Sequence, residues 1–376
     1  MRSHGSLRVL TVASAVGLAA AACGSSTPAT SSGAAQTGPP YSVTTSWGTF
    51  KLAPSIAAKI AAKQPLNFTL SFQTLSSVGA PAFLAAGMKV AAAAIQAKYG
   101  VTVNTKVIGP AQTDPVAQIS QVQQAVLAGQ VDCLAVEPVT PDAFTNVLND
   151  TMTKGVPAFT VNTDSPQSHR FAYYGPNDTD LAGANQLGIA AGKYVVNWAQ
   201  QNSITLHKVA LITGDTTAPW AQGRMQGFMQ TLQATFPNVT FVGTPTNAFT
   251  TGYDDPGIIS KMQAFITGHP DVDFYFDSDW GSKDIGKLIG QLNLKNKVYT
   301  LGYNVDSTYL DQVSAGNVVA TLDQRFDLQA GNWVTGCADF LLGGKSVTGN
   351  QYVPPTVVNT TTVADARQRL ASQQSG

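Results

Sequence analysis

The sequence predicts an α/β protein built from two doubly wound parallel-sheet units that face each other across a cleft. From Leu66 onward, short apolar runs of strand length alternate with longer segments of helical period. After Gly183 the same alternation begins again over a similar length. A chain of 376 residues that is 44% hydrophobic can also bury a core large enough for two such units.

The elements follow in order. Leu66 to Phe72 reads as a strand, Pro81 to Tyr99 as an Ala-rich helix, Val101 to Ile108 as a strand and Asp114 to Ala128 as a helix. Strand Val131 to Val136, helix Asp142 to Lys154 and strand Ala158 to Val161 complete the first unit. The second opens with helix Gly183 to Gln200 and strand Lys208 to Thr213. It continues through helix Trp220 to Phe236, strand Val239 to Gly243, helix Pro256 to Thr267, strand Phe274 to Asp277, helix Ser282 to Leu292 and strand Val298 to Gly302. Strands separated by helices imply right-handed crossovers and a sheet covered on both faces. Ligands then sit beyond the carboxyl ends of the strands.

The N-terminus carries an address. Arg2 and Arg8 precede the apolar run Val9 to Ala22, which ends in small residues before Cys23. This resembles an export leader with a lipobox, although Ala20 stands where Leu is usual. The expectation is a signal peptide over 1–22 and lipidation of Cys23, with an ordinary secretory signal as the alternative. Residues 23–40 are, after the cysteine, Ser, Thr, Ala, Gly and Pro with a single Gln36 and no charge, a composition that gives a flexible tether. Residues 41–64 form an extension with a short helix from Pro54.

Net charge is zero and only 12% of residues are charged, so nothing recruits nucleic acid or an anionic membrane surface, and the target is expected to be uncharged. Beyond Cys23 the cysteines are Cys133 and Cys337, which could form a disulfide or stand as two buried thiols; buried thiols are favoured. The histidines are scattered singly, so neither a metal nor a cofactor is expected. Gly343 to Ser346 has the ending of a phosphate loop, but Asp339 occupies the place of its first glycine. No Gly-x-Ser-x-Gly elbow is present.

Five ordered segments resemble the ribose- and galactose-type (type I) substrate-binding proteins of bacterial ABC transporters: Gln121 to Pro138, Lys154 to Asn162, Arg224 to Phe228, Gly268 to Phe276 and Ala320 to Gln324. The resemblance implies two doubly wound lobes joined by three crossover strands, with the ligand cleft between them. Crossovers are expected near Asn177 and Asp178, near Gln324 and near Pro354 and Pro355. Lobe 1 would comprise 65–178 and 325–354, lobe 2 would comprise 179–324 and 355–362, and 363–376 would be a tail.

Carried over position by position, the resemblance implies ligand contacts from Ser76, Ser77 and Phe83 in and after the first loop, and from Glu137, Asn162 and Asp164 in lobe 1. In lobe 2 it implies Trp220, Gln222, Phe249, Asp279, Trp280, Asn304 and Gln324. Tyr253 is a second aromatic candidate beside Phe249, and Arg224 is expected to fix its helix start. An aromatic plate with fixed donors and acceptors suits a sugar ring.

The expected protein is a monomeric, extracytoplasmic lipoprotein, not an enzyme. It would close on a neutral sugar or polyol and deliver it to an ABC permease. The alternatives are a ligand-presenting receptor for a membrane sensor kinase and, behind it, an enzyme on a similar bilobal frame. The related transcription regulators would require a helix-turn-helix where this chain has a leader.

Overall fold

A computed structural model describes residues 42–75, 79–177 and 185–374. The chain enters through a hairpin, β1 (Ser42–Thr45) and β2 (Gly48–Lys51), followed by α1 (Pro54–Ala61). It then alternates as β3 (Leu66–Ser71), α2 (Ala80–Tyr99), β4 (Val103–Ile108), α3 (Pro115–Leu127), β5 (Cys133–Val136), α4 (Thr145–Thr153), β6 (Ala158–Val161) and β7 (Ala172–Gly175). Next come α5 (Gln186–Gln201), β8 (Lys208–Thr213), α6 (Pro219–Thr235), β9 (Thr240–Val242), β10 (Phe249–Thr250), α7 (Asp255–Gly268), β11 (Phe274–Asp277), α8 (Ser282–Gln291), β12 (Tyr299–Tyr303), α9 (Ser307–Ser314) and β13 (Ala320–Asp323). The chain ends with α10 (Phe326–Gly343), β14 (Gly349–Tyr352), β15 (Thr356–Val358) and α11 (Val363–Gln374).

Local chemistry sets several of these boundaries. The Asp114 carboxylate accepts the N–H groups of Val116 and Ala117, with Pro115 opening α3. Asp254 and Asp306 cap α7 and α9 in the same way, and Gly100 ends α2 in the left-handed conformation.

Two sheets result. The first has the order β14-β7-β6-β5-β3-β4, parallel throughout. The second runs β10-β8-β11-β12-β13-β15 with β9 also on β8, and only β15 is antiparallel. The chain passes between the sheets three times: after β7, from β13 through Gln324 into α10, and from β14 to β15. The fold is therefore the α/β pair of parallel-sheet lobes that the alternating pattern implies. In each lobe a glycine lets two helices meet at backbone distance: a Cβ on Gly87 of α2 would lie 2.0 Å from the Asp327 carbonyl oxygen of α10, and one on Gly188 of α5 would lie 2.2 Å from that of Arg224 in α6.

Cys133 and Cys337 are bonded to each other, which corrects the expectation of two separate thiols. Both are fully buried, and the parallel order places β5 where α10, returning after 204 residues, packs across it. The N-terminal extension belongs physically to lobe 1. Phe50 is 1% exposed with Phe171 and Phe340 around it, Trp47 stacks on His169 at 4.7 Å, and Lys59 pairs with Asp132 at 2.8 Å.

Nor is the C-terminus a loose tail. Val363 of α11 packs on Tyr309, Val313 and Val318, while Ala366 and Leu370 join the core that contains Phe68 and Trp333. Arg369 reaches Asp323 at 2.7 Å, beside the second passage between lobes.

Because the disulfide closes a loop that contains most of lobe 2, from α5 to β13, replacing Cys133 and Cys337 with Ala should lower unfolding free energy by roughly 2 to 5 kcal/mol. Denaturant unfolding with and without reductant measures this. Identical curves for the oxidised, reduced and mutant proteins would show that the bond does not form.

Candidate functional site

The first passages leave from the carboxyl ends of β7 and β13, so the polar residues that follow the strands of both sheets gather at the same end of each lobe. In lobe 1, Glu137 follows β5 and is 1% exposed. Its carboxylate accepts the backbone N–H of Gln73 at 3.2 Å and the Asn162 side-chain amide at 2.6 Å. Gln118 holds the strand end from behind, donating to the Glu137 carbonyl at 2.9 Å and to Ser71 Oγ at 3.2 Å. Asn162 takes a positive φ of 63°, which turns its amide back over the strand end. Its Nδ2 is spent on Glu137, and its buried Oδ1 has no hydrogen-bond partner.

In lobe 2, Arg224 is 3% exposed, and its guanidinium lies between the rings of Trp220 and Tyr303, at 4.8 and 4.5 Å from their centroids. It donates to the Ser278 carbonyl at 3.0 Å and to Gln324 Oε1 at 2.7 Å. Gln324 Nε2 donates in turn to Asn304 Oδ1 at 2.7 Å, and Asn304 Nδ2 to Asp279 Oδ1 at 3.3 Å. One continuous relay thus runs from a cation through two amides to a carboxylate. Asn304 also has positive φ, 72°, and its backbone is fixed by Leu322 and Thr321.

Burial pushes Asp277 up to about 8, with the charge of Asp279 adding to the rise. Burial likewise pushes Asp279 up to about 6 against the pull of Arg224. Asp277 Oδ1 accepts the Asp279 N–H at 3.0 Å, while its buried Oδ2 and Ser278 Oγ have no hydrogen-bond partner.

The structure sorts the expected residues. Glu137 with Asn162 forms one group, and Asp279, Asn304 and Gln324 form the other. Trp280 adjoins Asp279, and Trp220 enters as the ring beneath Arg224. Phe83 does not join them: it is 7% exposed and lies in the lobe 1 core, because its helix packs against α10 and β4. Asp164 does not join either, since Arg170 binds both its oxygens and Thr160 donates at 2.6 Å. Gln222 folds back onto the Thr216 carbonyl at 2.7 Å. Phe249 is packed on Phe265 with centroids 4.2 Å apart. Ser76 and Ser77, like Cys23 and Asp178, lie outside the described residues.

Tyr253, the second aromatic candidate, is more exposed than Phe249. It is 55% exposed, and its ring rests on Gly214 so closely that a Cβ there would lie 2.1 Å from it. Desolvation and then the charges of Asp279, Asp215 and Asp277 raise its titration. Gln73, the first residue beyond Phe72, and the linking role of Arg224 were missed; position directly after a strand was the available signal for Gln73. Among the described residues no group of three His, Cys, Asp or Glu could hold a metal ion. A surface cavity of about 340 Å³ near Asn332, Asn350 and Tyr352 contains none of the site residues.

Residues 75–346 match the family described as periplasmic binding protein domain, and the chain belongs to that family. A curated relative, the xylose/arabinose-binding protein XylF of Sulfolobus acidocaldarius, is 24% identical over 234 residues, covering 59% of this chain and 54% of the relative. The alignment thus spans about half of that relative's length. Among solved structures, the glucose-galactose binding protein GanP from Geobacillus stearothermophilus is similar with a TM-score of 0.64 at 21% identity, over 79% of this chain and 98% of that one. An ABC transporter solute-binding protein from Burkholderia graminis, in complex with D-arabinose, has a TM-score of 0.67 at 20% identity, over 79% and 96%. These two likenesses establish the fold.

Asp277 and Asp279 hold protons in the folded protein over a pH range in which the unfolded chain, with carboxyls near 3.8, has released them. Their contribution to stability therefore falls as pH rises from 3.8 through about 8. The melting temperature should drop between about pH 5 and pH 8, and Asp277→Asn should flatten that drop. An unchanged pH slope in the variant would remove Asp277 as its source.

Proposed function

We propose that this protein is an extracytoplasmic binding lipoprotein that closes its two lobes on a neutral sugar or sugar alcohol and delivers it to an ABC permease. The relay from Arg224 through Gln324 and Asn304 to Asp279 carries this reading. It presents amide and carboxylate edges of fixed polarity, and a hydroxyl group, being both donor and acceptor, is the ligand group that such edges pair with. Asn162 Oδ1 offers a further acceptor from the other lobe. Trp280 and Tyr253 supply ring surface for the apolar face of a sugar.

Charge argues against an anion. Arg224 is engaged with Ser278 and Gln324, while Glu137 and Asp279 bring carboxyl groups, not free cations, to the site. An acidic ligand would bury its carboxylate against those groups. Pentoses are the first candidates, because the relative is a xylose/arabinose-binding protein and one structural neighbour holds D-arabinose. Binding chemistry alone suffices here, and no catalytic step is assigned. Ligand-driven closure provides the two shapes that a permease distinguishes.

Thermal shift of the mature protein against D-arabinose, D-xylose, D-ribose, D-galactose, amino acids and organic anions tests the ligand class. A rise with a neutral sugar is expected, and a rise only with amino acids or anions overturns it. Asn304→Ala and Gln324→Ala should each weaken binding by roughly 1 to 3 kcal/mol, read by titration calorimetry. If both keep full affinity, the relay is not the binding surface. Cys23→Ser should move the protein from membrane to soluble fractions, and retention at the membrane would contradict the anchor.

A further inference from the structure

After the loop that carries Asp279 and Trp280, helix α8 packs against both α7 and α9. Each places a carboxylate in or at its first turn: Asp255 in α7, Asp284 in α8 and Asp306 at the N-cap of α9, where it accepts the Tyr309 N–H at 2.6 Å. All three approach one ammonium. Lys283 Nζ is hydrogen-bonded to Asp255 and lies 3.5 Å from Asp284 and 3.9 Å from Asp306. Lys283 is 2% exposed, a burial that an ammonium tolerates only when paired. Lys287 supplies the second cation of the cluster, on Asp284 at 2.7 Å.

The same Lys283 ammonium lies 5.4 Å from the centroid of the Trp280 ring. An ammonium facing an indole attracts it electrostatically, and attraction from a cation that cannot move fixes the ring in place. We infer that Lys283 is a positioning residue for ligand capture, locking the starts of three helices together and holding Trp280 against them so that the ring and neighbouring Asp279 face the ligand in one arrangement. The inference rests on the reading of Trp280 and Asp279 as ligand contacts. Lys283 itself stays behind the ring and touches no ligand. Removing its charge leaves Asp255, Asp284 and Asp306 facing one another without a shared counterion and frees one face of the indole.

The test compares Lys283→Met, Trp280→Leu and the double variant by calorimetric titration with D-arabinose. Each single change should weaken binding about tenfold, the scale of a desolvated cation–π contact. The double variant should bind no more weakly than Trp280→Leu, and Lys283→Arg should recover most of the affinity. Losses that multiply, or Lys283→Met binding within about twofold of wild type despite a lower melting temperature, would leave Lys283 with a purely structural role and overturn the inference.

A readout without sugar separates this inference from the sugar-binding proposal. The chain has five tryptophans, so the emission of Trp280 is taken as the difference between matched proteins with and without Trp280→Phe. That component should shift to the red and become more accessible to acrylamide in Lys283→Met. An unchanged component overturns the inference whether or not any sugar binds, whereas failure of every sugar to bind with the emission shift present overturns only the sugar-binding proposal. If Lys283→Met does not fold, Asp255→Asn, which removes one of the three carboxylates, should show the same emission change in milder form. No change there would be equally decisive against the clamp.

Discussion

The guanidinium of Arg224 organises lobe 2. A charge that cannot be neutralised by losing a proton is buried there, so its surroundings must supply acceptors and π faces. The Ser278 carbonyl, Gln324 Oε1 and the rings of Trp220 and Tyr303 are those groups. Each lies on a different segment: the loop after β11, the passage between lobes, the start of α6 and the end of β12. Satisfying one cation therefore fixes the relative placement of four segments, and it also orients the amides that follow. Gln324 must point its oxygen at Arg224, so its nitrogen faces Asn304, and Asn304 in turn presents its nitrogen to Asp279. Gly188 makes this possible, since any side chain there would collide with the Arg224 backbone.

Lobe 1 is organised by a buried carboxyl group. Glu137 collects the Gln73 N–H and the Asn162 amide, and Gln118 pins its backbone to the end of β3. The amide orientation of Asn162 is dictated in the same manner, leaving Oδ1 as the group turned away from the Glu137 carboxyl. An acid-centred lobe and a cation-centred lobe thus present complementary sets of amide edges. Carboxylates at Asp277 and Asp279 add a proton-dependent element to the second set, because burial holds both above the ordinary carboxylate range.

Covalent and terminal features act on the same architecture. The bond between Cys133 and Cys337 joins parts of lobe 1 that are separated by most of lobe 2. Helix α11 reaches the cores on both sides and sends Arg369 to Asp323, next to the residue at which the relay leaves lobe 2. The N-terminal hairpin fills lobe 1 with Phe50. These additions tie the residues around the passages between lobes to the two cores.

The alternation of short apolar runs and helical segments determined the two α/β units, because the pattern of buried faces is local: Lys208–Thr213 and Phe274–Asp277 are strands over the residues the sequence marks. Asn304, Gln324 and Asp279 were expected from the resemblance, and the structure places all three in one hydrogen-bonded chain. Short elements with weak periodicity, such as β7, β14 and α11, were not, since pairing and packing with distant segments create them. The fate of individual side chains was likewise a tertiary decision. Phe83 and Phe249 carry the residue type expected of a ligand plate, but neighbouring apolar surface claimed both; Asp164 was claimed by Arg170 and Gln222 by its own loop. Cys133 and Cys337 show the limit most plainly. The sequence determined that both are apolar and buried, and only the packing of α10 against β5 decided that they are bonded, because distance in space is not encoded by distance along the chain.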